Sequence, residues 1–290
     1  MFLWIGPDKD MNIFNSLIYT FGTAGTGGFG IDSFSLEFYT PYTQYIIAIF
    51  MIIFGINFSL FYLILIGNGK EVFKNEELRW YFSIIIISVL LISINTFRIY
   101  ETVEETFRTA LFQVASIIST TGYSTTDFAN RWPIFSQMII LLIMFTGACA
   151  GSTAGGFKIT RINILIKSTI KKISNVANPR KVKSLCIDKK PVSNSTVEVV
   201  LNYFTLYILV LIACTILISF DNFDFTTIFT SSLACISNIG PGLGQVGPYG
   251  SFANYSDFSK LVLSLEMIAG RLELFPILVL FNPKTWSNRF

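Results

Sequence analysis

Residues 13–28 read IFNSLIYTFGTAGTGG, residues 107–122 read FRTALFQVASIISTTG and residues 225–240 read FTTIFTSSLACISNIG. The three align without a gap. Apolar residues coincide at Ile13, Phe107 and Phe225, at Leu17, Leu111 and Phe229, at Phe21, Ala115 and Leu233, and at Ala24, Ile118 and Ile236. Their steps of 4, 4 and 3 residues describe one helical stripe used three times. Each segment ends in a glycine turn and is followed by a long hydrophobic run.

The segments before the glycines are too short to cross a bilayer, and an apolar run of about 10–14 residues reads as a re-entrant or buried helix. A half-helix followed by irregular backbone at membrane depth is tolerated where that backbone lines a water-filled path or is buried in protein. The expected architecture is an all-α integral membrane protein built of membrane-pore-membrane repeats with re-entrant pore helices. With 52% hydrophobic and 13% charged residues, the chain lies far from the roughly 25% charge of soluble domains. Spans are expected at Tyr42–Ile66, Trp80–Phe97, Pro133–Ile170, Val197–Phe220 and Lys260–Phe281. The expected units are 1–66, a partial repeat of pore helix, turn and second span; 80–170, a complete repeat; and 194–290, a complete final repeat. A cytoplasmic connector (67–79) and a basic cytoplasmic loop (171–193) join them. No leader peptide is expected, because Met1 to Gly6 is followed at once by Pro7, Asp8, Lys9 and Asp10.

The chain has no histidine, which removes Ser-His-Asp and Cys-His nucleophiles and histidine metal sites together. No enzyme is expected. Cys149, Cys186, Cys214 and Cys235 form no CxxC pair and read as free thiols. Net charge is only +3, yet Lys158, Arg161, Lys167, Lys171, Lys172, Arg180, Lys181, Lys183, Lys189 and Lys190 cluster around one acid, Asp188. The positive-inside rule makes that stretch cytoplasmic and puts all three glycine turns on the opposite side. The outer stretches are acid-rich, with Asp221, Asp224 and Asp257 in one and Glu101, Glu104, Glu105 and Asp127 in another. Two readings stand for them: a vestibule that concentrates cations, and ordinary outer loops short of positive charge.

The turns themselves read Thr26-Gly27-Gly28-Phe29, Thr120-Thr121-Gly122-Tyr123 and Asn238-Ile239-Gly240-Pro241. They hold no carboxylate, thiol or imidazole. A dehydrated cation there would be bound by backbone carbonyls, as in potassium-channel filters. The negative end of each preceding helix dipole would favour it. Gly25 to Gly30 matches GxGxxG but follows a helical pattern instead of a strand, and the glycine-rich run from Gly147 lacks the P-loop lysine at Ser152. Neither supports a nucleotide site.

Together with GACAGSTAGGFK (147–158), SNIGPGLG (237–244) and GRLELFPILVLF (270–281), these turns resemble the potassium-translocating membrane subunits of bacterial Trk and Ktr systems, the TrkH/KtrB family, with TrkH nearest. The resemblance covers nearly the whole chain. It implies K+ uptake across the bacterial cytoplasmic membrane by a multi-pass protein whose repeats resemble K+ channel subunits, with K+ as the transported ion and no organic cofactor. It also implies a homodimer, a cytoplasmic nucleotide-binding regulator of the TrkA type and contact with membrane lipid, with no nucleic-acid partner. The family carries four repeats around one pore, and here two are complete and one begins at its pore helix. A Na+-selective or Na+-coupled relative, and a non-conducting membrane subunit, stand as alternatives.

Pro133 to Ile170 is 38 residues, about 57 Å as one helix at 1.5 Å per residue, nearly twice a hydrocarbon core of about 30 Å. It is expected to break, tilt or extend into the cytoplasm. Its weak point is the ten small residues from Gly147 to Gly156. Gly147, Gly151 and Gly155 could form a GxxxGxxxG packing ridge. The alternative is an intramembrane gate below the turns, involving Gly147, Gly151, Ser152, Thr153, Gly155, Gly156 and Lys158, and the resemblance assigns that role. Arg271 lies mid-span with Glu266 and Glu273 nearby. An arginine at that depth faces a cavity or a partner. An ion pair with one of those glutamates is one reading, and the resemblance implies a pore arginine near the gate.

Overall fold

The three aligned segments fold as capped helices, Ile13–Ala24, Val103–Ile118 and Phe225–Ser237. Each starts on a residue whose side chain accepts a hydrogen bond from the first turn: Asn12 from the Asn15 N–H, Thr102 from Glu105 and Asp224 from Thr227. The computed structural model describes residues 1–31, 34–177 and 184–280. Within these, all regular structure is helical except a small antiparallel hairpin pairing Cys186–Ile187 with Lys190–Pro191. Phe281, the expected end of the last span, and Arg180, Lys181 and Lys183 of the basic stretch lie outside the described residues.

Of the five expected spans, two are single uninterrupted helices, Glu76–Thr96 and Asn194–Ile218. Both are long and apolar enough to cross a membrane. The other three, each the run that follows a glycine turn, are broken. Tyr42–Ile66, expected as one span, forms Pro41–Phe54 and Phe58–Leu65, bent by 91°. The break falls at Gly55, where a Cβ would lie 2.3 Å from the Tyr81 hydroxyl oxygen. That hydroxyl donates to the Ile52 carbonyl over 3.0 Å. Pro133–Ile170 becomes Ile134–Thr146 and Ile159–Ala177 around the small-residue loop, so the helical glycine ridge is not formed. Lys260–Phe281 becomes Asp257–Arg271 and Leu274–Leu280, parted at Glu273 with φ +65°.

The two largest of the four buried clusters among the described residues hold the units together. The larger joins the second and third units through Tyr81, Ile85, Ile117, Ile118, Leu233 and Ile236. A second ties the first unit to the second pore helix through Tyr19, Met51, Phe112, Ala115 and Tyr123. The aligned stripe therefore meets different fates. Its lower positions are buried in the second and third units, at Ala115, Ile118, Leu233 and Ile236, whereas Ile13, Leu17 and Phe21 of the first unit stay exposed. Among the described residues, nothing covers this flank of the first pore helix.

The third pore helix lies hard against the last span at Gly270, where a Cβ would stand 2.0 Å from the Ile236 carbonyl oxygen. Backbone there cannot yield as a side chain would. Gly270→Ala is expected to destabilise the chain by about 1–3 kcal/mol through overpacking, read as a lower unfolding midpoint in detergent. Gly69→Ala, at a helical glycine with open space around it, is the matched control and should leave the midpoint unchanged or slightly raised.

Candidate ion-conduction site

The turns that end the three pore helices share one backbone design. Gly27, Thr121 and Ile239 each donate their N–H to the carbonyl five residues earlier, at Gly22, Ser116 and Ala234, over 2.8, 2.9 and 2.9 Å. Thr26, Thr120 and Asn238 donate to the carbonyl three residues earlier over 3.2, 3.1 and 3.0 Å. This is the Schellman ending. It requires a left-handed residue, and Thr26, Thr120 and Asn238 have φ of +50°, +55° and +56°. Two residues on, Gly28, Gly122 and Gly240 also have positive φ, at +67°, +89° and +107°, a region open mainly to glycine.

The turns pack side by side in a fixed order. A Cβ on Gly28 would fall 1.8 Å from the Thr121 carbonyl oxygen, and one on Gly122 would fall 2.1 Å from that of Ile239. Glycine hydrogen thus meets the carbonyl of the next turn, twice over. The residue after each glycine leans the other way. Pro241 lies against Gly122, and Tyr123 reaches the first unit, its hydroxyl donating to the Phe29 carbonyl over 2.9 Å. Tyr123 is accordingly 1% exposed and Phe29, on whose side chain no other turn packs among the described residues, 77%. At the other end of the row a Cβ on Gly240 would meet nothing within 4 Å. Between the first and third turns lies a cleft of about 600 Å³ lined by Gly27, Phe29, Asn238, Gly240, Lys260 and Arg271, among others.

The 147–156 loop touches all three turns at equivalent places. Thr26 Oγ1 donates to the Thr153 carbonyl over 2.9 Å, and Thr120 Oγ1 accepts from the Gly155 N–H over 2.7 Å. Gly155 also lies so near the third turn that a Cβ would be 2.5 Å from the Ser237 carbonyl oxygen. Left-handed glycines at 147, 151 and 156 fold the loop back on itself, with the Lys158 ammonium donating to the Ala154 carbonyl. Ser152 Oγ donates to the Cys149 carbonyl over 2.6 Å, while Thr153 Oγ1 is buried without a hydrogen-bond partner among the described residues. Arg271 forms no ion pair among the described residues. It donates instead across the cleft to the Gly25 carbonyl at the end of the first pore helix, over 3.2 Å. The two glutamates near it are engaged elsewhere, Glu273 with Arg161 over 2.9 Å and Glu266 with the Ser232 hydroxyl over 2.6 Å.

The sequence profile of TrkH, described as a cation transport protein, matches residues 5–289. The chain belongs to the TrkH family. It is a helical inner-membrane protein of a family of cation transport proteins, which are not enzymes. The Trk system potassium uptake protein TrkH of Escherichia coli K12 is 33% identical over 284 residues, covering 96% of this chain and 58% of its own length. The potassium uptake protein TrkG of the same strain is 30% identical, over 96% of this chain and 57% of its own length. The crystal structure of the potassium transporter TrkH from Vibrio parahaemolyticus superposes with a TM-score of 0.87 at 30% identity, over 94% of this chain and 59% of that one. The chain therefore spans somewhat more than half the length of the TrkH relatives it matches.

Within this TrkH-family chain, two features escaped the sequence reading. One is the break at Gly55, whose carbonyl accepts from the Cys149 N–H over 3.1 Å while the Phe58 N–H donates to the Gly151 carbonyl over 3.0 Å. The Gly55-Ile56-Asn57 interruption of an apolar run was the available signal. The other is Glu77, a buried carboxyl that accepts from the Ala150 N–H over 2.6 Å, for which a glutamate at a helix start offers no signal at all.

Gly122 and Gly240 separate the two demands on these glycines. Gly122→Ala would meet both the positive-φ cost, about 1–2 kcal/mol, and the carbonyl clash. Gly240→Ala would meet the first alone. Urea unfolding of the isolated chain in detergent should show the larger loss for Gly122→Ala; equal losses would contradict the packed order of turns.

Proposed function

We propose that this chain supplies three sides of a K+-conducting path for uptake down the electrochemical gradient, in an assembly where a further unit of the same kind fills the cleft between the first and third turns. The observation that carries the proposal is the repetition of one backbone design in three turns packed glycine against carbonyl. Such a row offers a cation only carbonyl and hydroxyl oxygens, from Thr26–Phe29, Thr120–Tyr123 and Asn238–Pro241. Oxygen ligands of this kind replace the hydration shell of a weakly hydrated cation. The pore helices end at the turns, so their partial negative charge adds to the attraction. Glycine at all three turns favours K+ over the Na+-selective alternative, and the potassium relatives support the same choice.

In this reading the 147–156 loop is the gate. It lies against the turns, is irregular in backbone, and is held by single hydrogen bonds that can exchange for water. Gly147, Gly151, Gly155 and Gly156 give it freedom to move, and Ser152, Thr153 and Lys158 give it polar contacts. Arg271, bonded to the Gly25 carbonyl, sets a fixed positive charge beside the path and latches the last span to the first turn. The repeat boundaries are those of units 1–66, 80–170 and 194–290. The assembly is a homodimer regulated by a TrkA-type nucleotide-binding subunit on the cytoplasmic side, where the basic stretch also meets anionic lipid.

The test is K+ uptake in a strain lacking its own K+ uptake systems, with this chain expressed alone and beside a chain carrying the additional repeat. Uptake should require the second chain; no uptake with either, despite membrane insertion, would overturn the proposal. In the conducting assembly Gly240→Ser should lower K+ over Na+ selectivity by about tenfold, corresponding to about 1.4 kcal/mol of differential binding. Deletion of Ala148 to Ala154 should raise basal K+ leak in flux assays, and a variant as tight as the parent would remove the loop from the gate.

A further inference from the structure

The underside of the 147–156 loop is tied to the cytoplasmic surface through two adjacent residues at the start of the helix Glu76–Thr96. Glu77, 7% exposed, accepts from the Ala150 N–H over 2.6 Å and from the Thr160 hydroxyl on the helix that follows the loop. No ion pair with Glu77 is present among the described residues, so its carboxyl group is spent on these contacts. A buried acceptor of this kind strongly disfavours loss of its donors.

One residue earlier, the helix start is held from outside the membrane region. The hairpin tip at Asp188 accepts from the Glu76 N–H through Oδ1 over 2.6 Å, and from Asn75 Nδ2 through Oδ2 over 3.0 Å. The tip is built for this: Asp188 and Lys189 have φ of +49° and +63° and connect the two strands in a tight turn. Lys167, on the helix after the loop, pairs with the Glu76 carboxylate and donates to the Cys186 carbonyl over 2.9 Å. Hairpin, helix start, loop and following helix therefore share one hydrogen-bonded knot. Along it the exposed Asp188 reaches the loop backbone through the Glu76 N–H, the 76–77 peptide and the Glu77 side chain.

We propose that Glu77 is a positioning residue for the 147–156 loop and that the Asp188 hairpin sets Glu77, making the hairpin the handle by which a cytoplasmic contact releases or secures the loop. Releasing Asp188 frees the Glu76 N–H, loosens the first turn of the helix and shifts the carboxyl that holds Ala150. The consequence for ion flow rests on the gating role proposed above; the mechanical link does not. Contiguity alone is not coupling, so the link needs a direct readout.

Cys149 provides one, since it is fully buried in the loop beside Ala150. In the full chain with Cys186→Ser, Cys214→Ala and Cys235→Ala, assembled in membrane vesicles with the additional repeat, the rate of Cys149 modification by N-ethylmaleimide reports release of the loop. Glu77→Ala and Asp188→Ala are each expected to raise that rate about tenfold, the effect of losing a hydrogen bond to a charged group. Glu77→Gln, which keeps an acceptor oxygen, should stay within about threefold of the parent by the same reasoning. Thr160→Val, which removes one donor and preserves the fold, should give an intermediate rate. Parental rates in both alanine variants would overturn the proposal, and a rise with Glu77→Ala but not Asp188→Ala would overturn the hairpin's part in it. K+ flux measured in the same vesicles separates the two readings. Faster Cys149 modification with unchanged flux supports the link and refutes the gate.

Discussion

Close contact between a glycine and the carbonyl of the neighbouring turn is the constraint on which the rest of the molecule depends. At Gly28 and at Gly122 the neighbouring oxygen occupies space that any side chain would need. Because the glycine is two residues beyond a left-handed helix ending, its position is fixed by the helix, and the helices in turn are fixed relative to one another. Short, N-capped helices that end in the same Schellman geometry are interchangeable parts, and stacking them glycine to carbonyl builds a curved row. The row has two unlike ends, an unoccupied Gly240 and an exposed Phe29, and a cleft between them.

The broken spans follow from a second constraint. Backbone groups freed at membrane depth need partners from the protein or from a water-lined cavity, because lipid offers none. The break at Gly55 and the loop at 147–156 supply each other's partners through the Cys149 and Phe58 N–H groups, so neither interruption would be tolerated without the other. Three further backbone groups of the loop, the Thr153 carbonyl and the Gly155 and Ala150 N–H groups, are met by Thr26, Thr120 and Glu77. An element held this way is irregular in backbone yet bonded on two sides, to the turns through Thr26 and Thr120 and to the start of the helix Glu76–Thr96 through Glu77.

Much of this was legible in the chain itself. The threefold stripe, the glycine turns and the weak run from Gly147 to Gly156 are local patterns, and local patterns carry local geometry. What could not be read are features that need a partner distant in sequence. Tyr42–Ile66 reads as a single span because Gly55 is one glycine in an apolar run, and its bend depends on Tyr81 and on the loop at Cys149. An ion pair of Arg271 with Glu266 or Glu273 is one of two readings the sequence leaves open, and Ser232 and Arg161 hold those glutamates while the guanidinium bonds the Gly25 carbonyl at the end of the first pore helix. Glu77 carries no local mark because its role is defined by Ala150 and Thr160, both more than seventy positions away.

In the proposed function the row of turns binds a dehydrated cation through backbone oxygen. Anomalous diffraction from crystals of the completed assembly grown with Rb+ in place of K+ tests it most directly. Anomalous density between the turns, flanked by residues 26–29, 120–123 and 238–241, is the expected result. Density confined to the acidic outer loops or the cytoplasmic surface, with none between the turns, would contradict it.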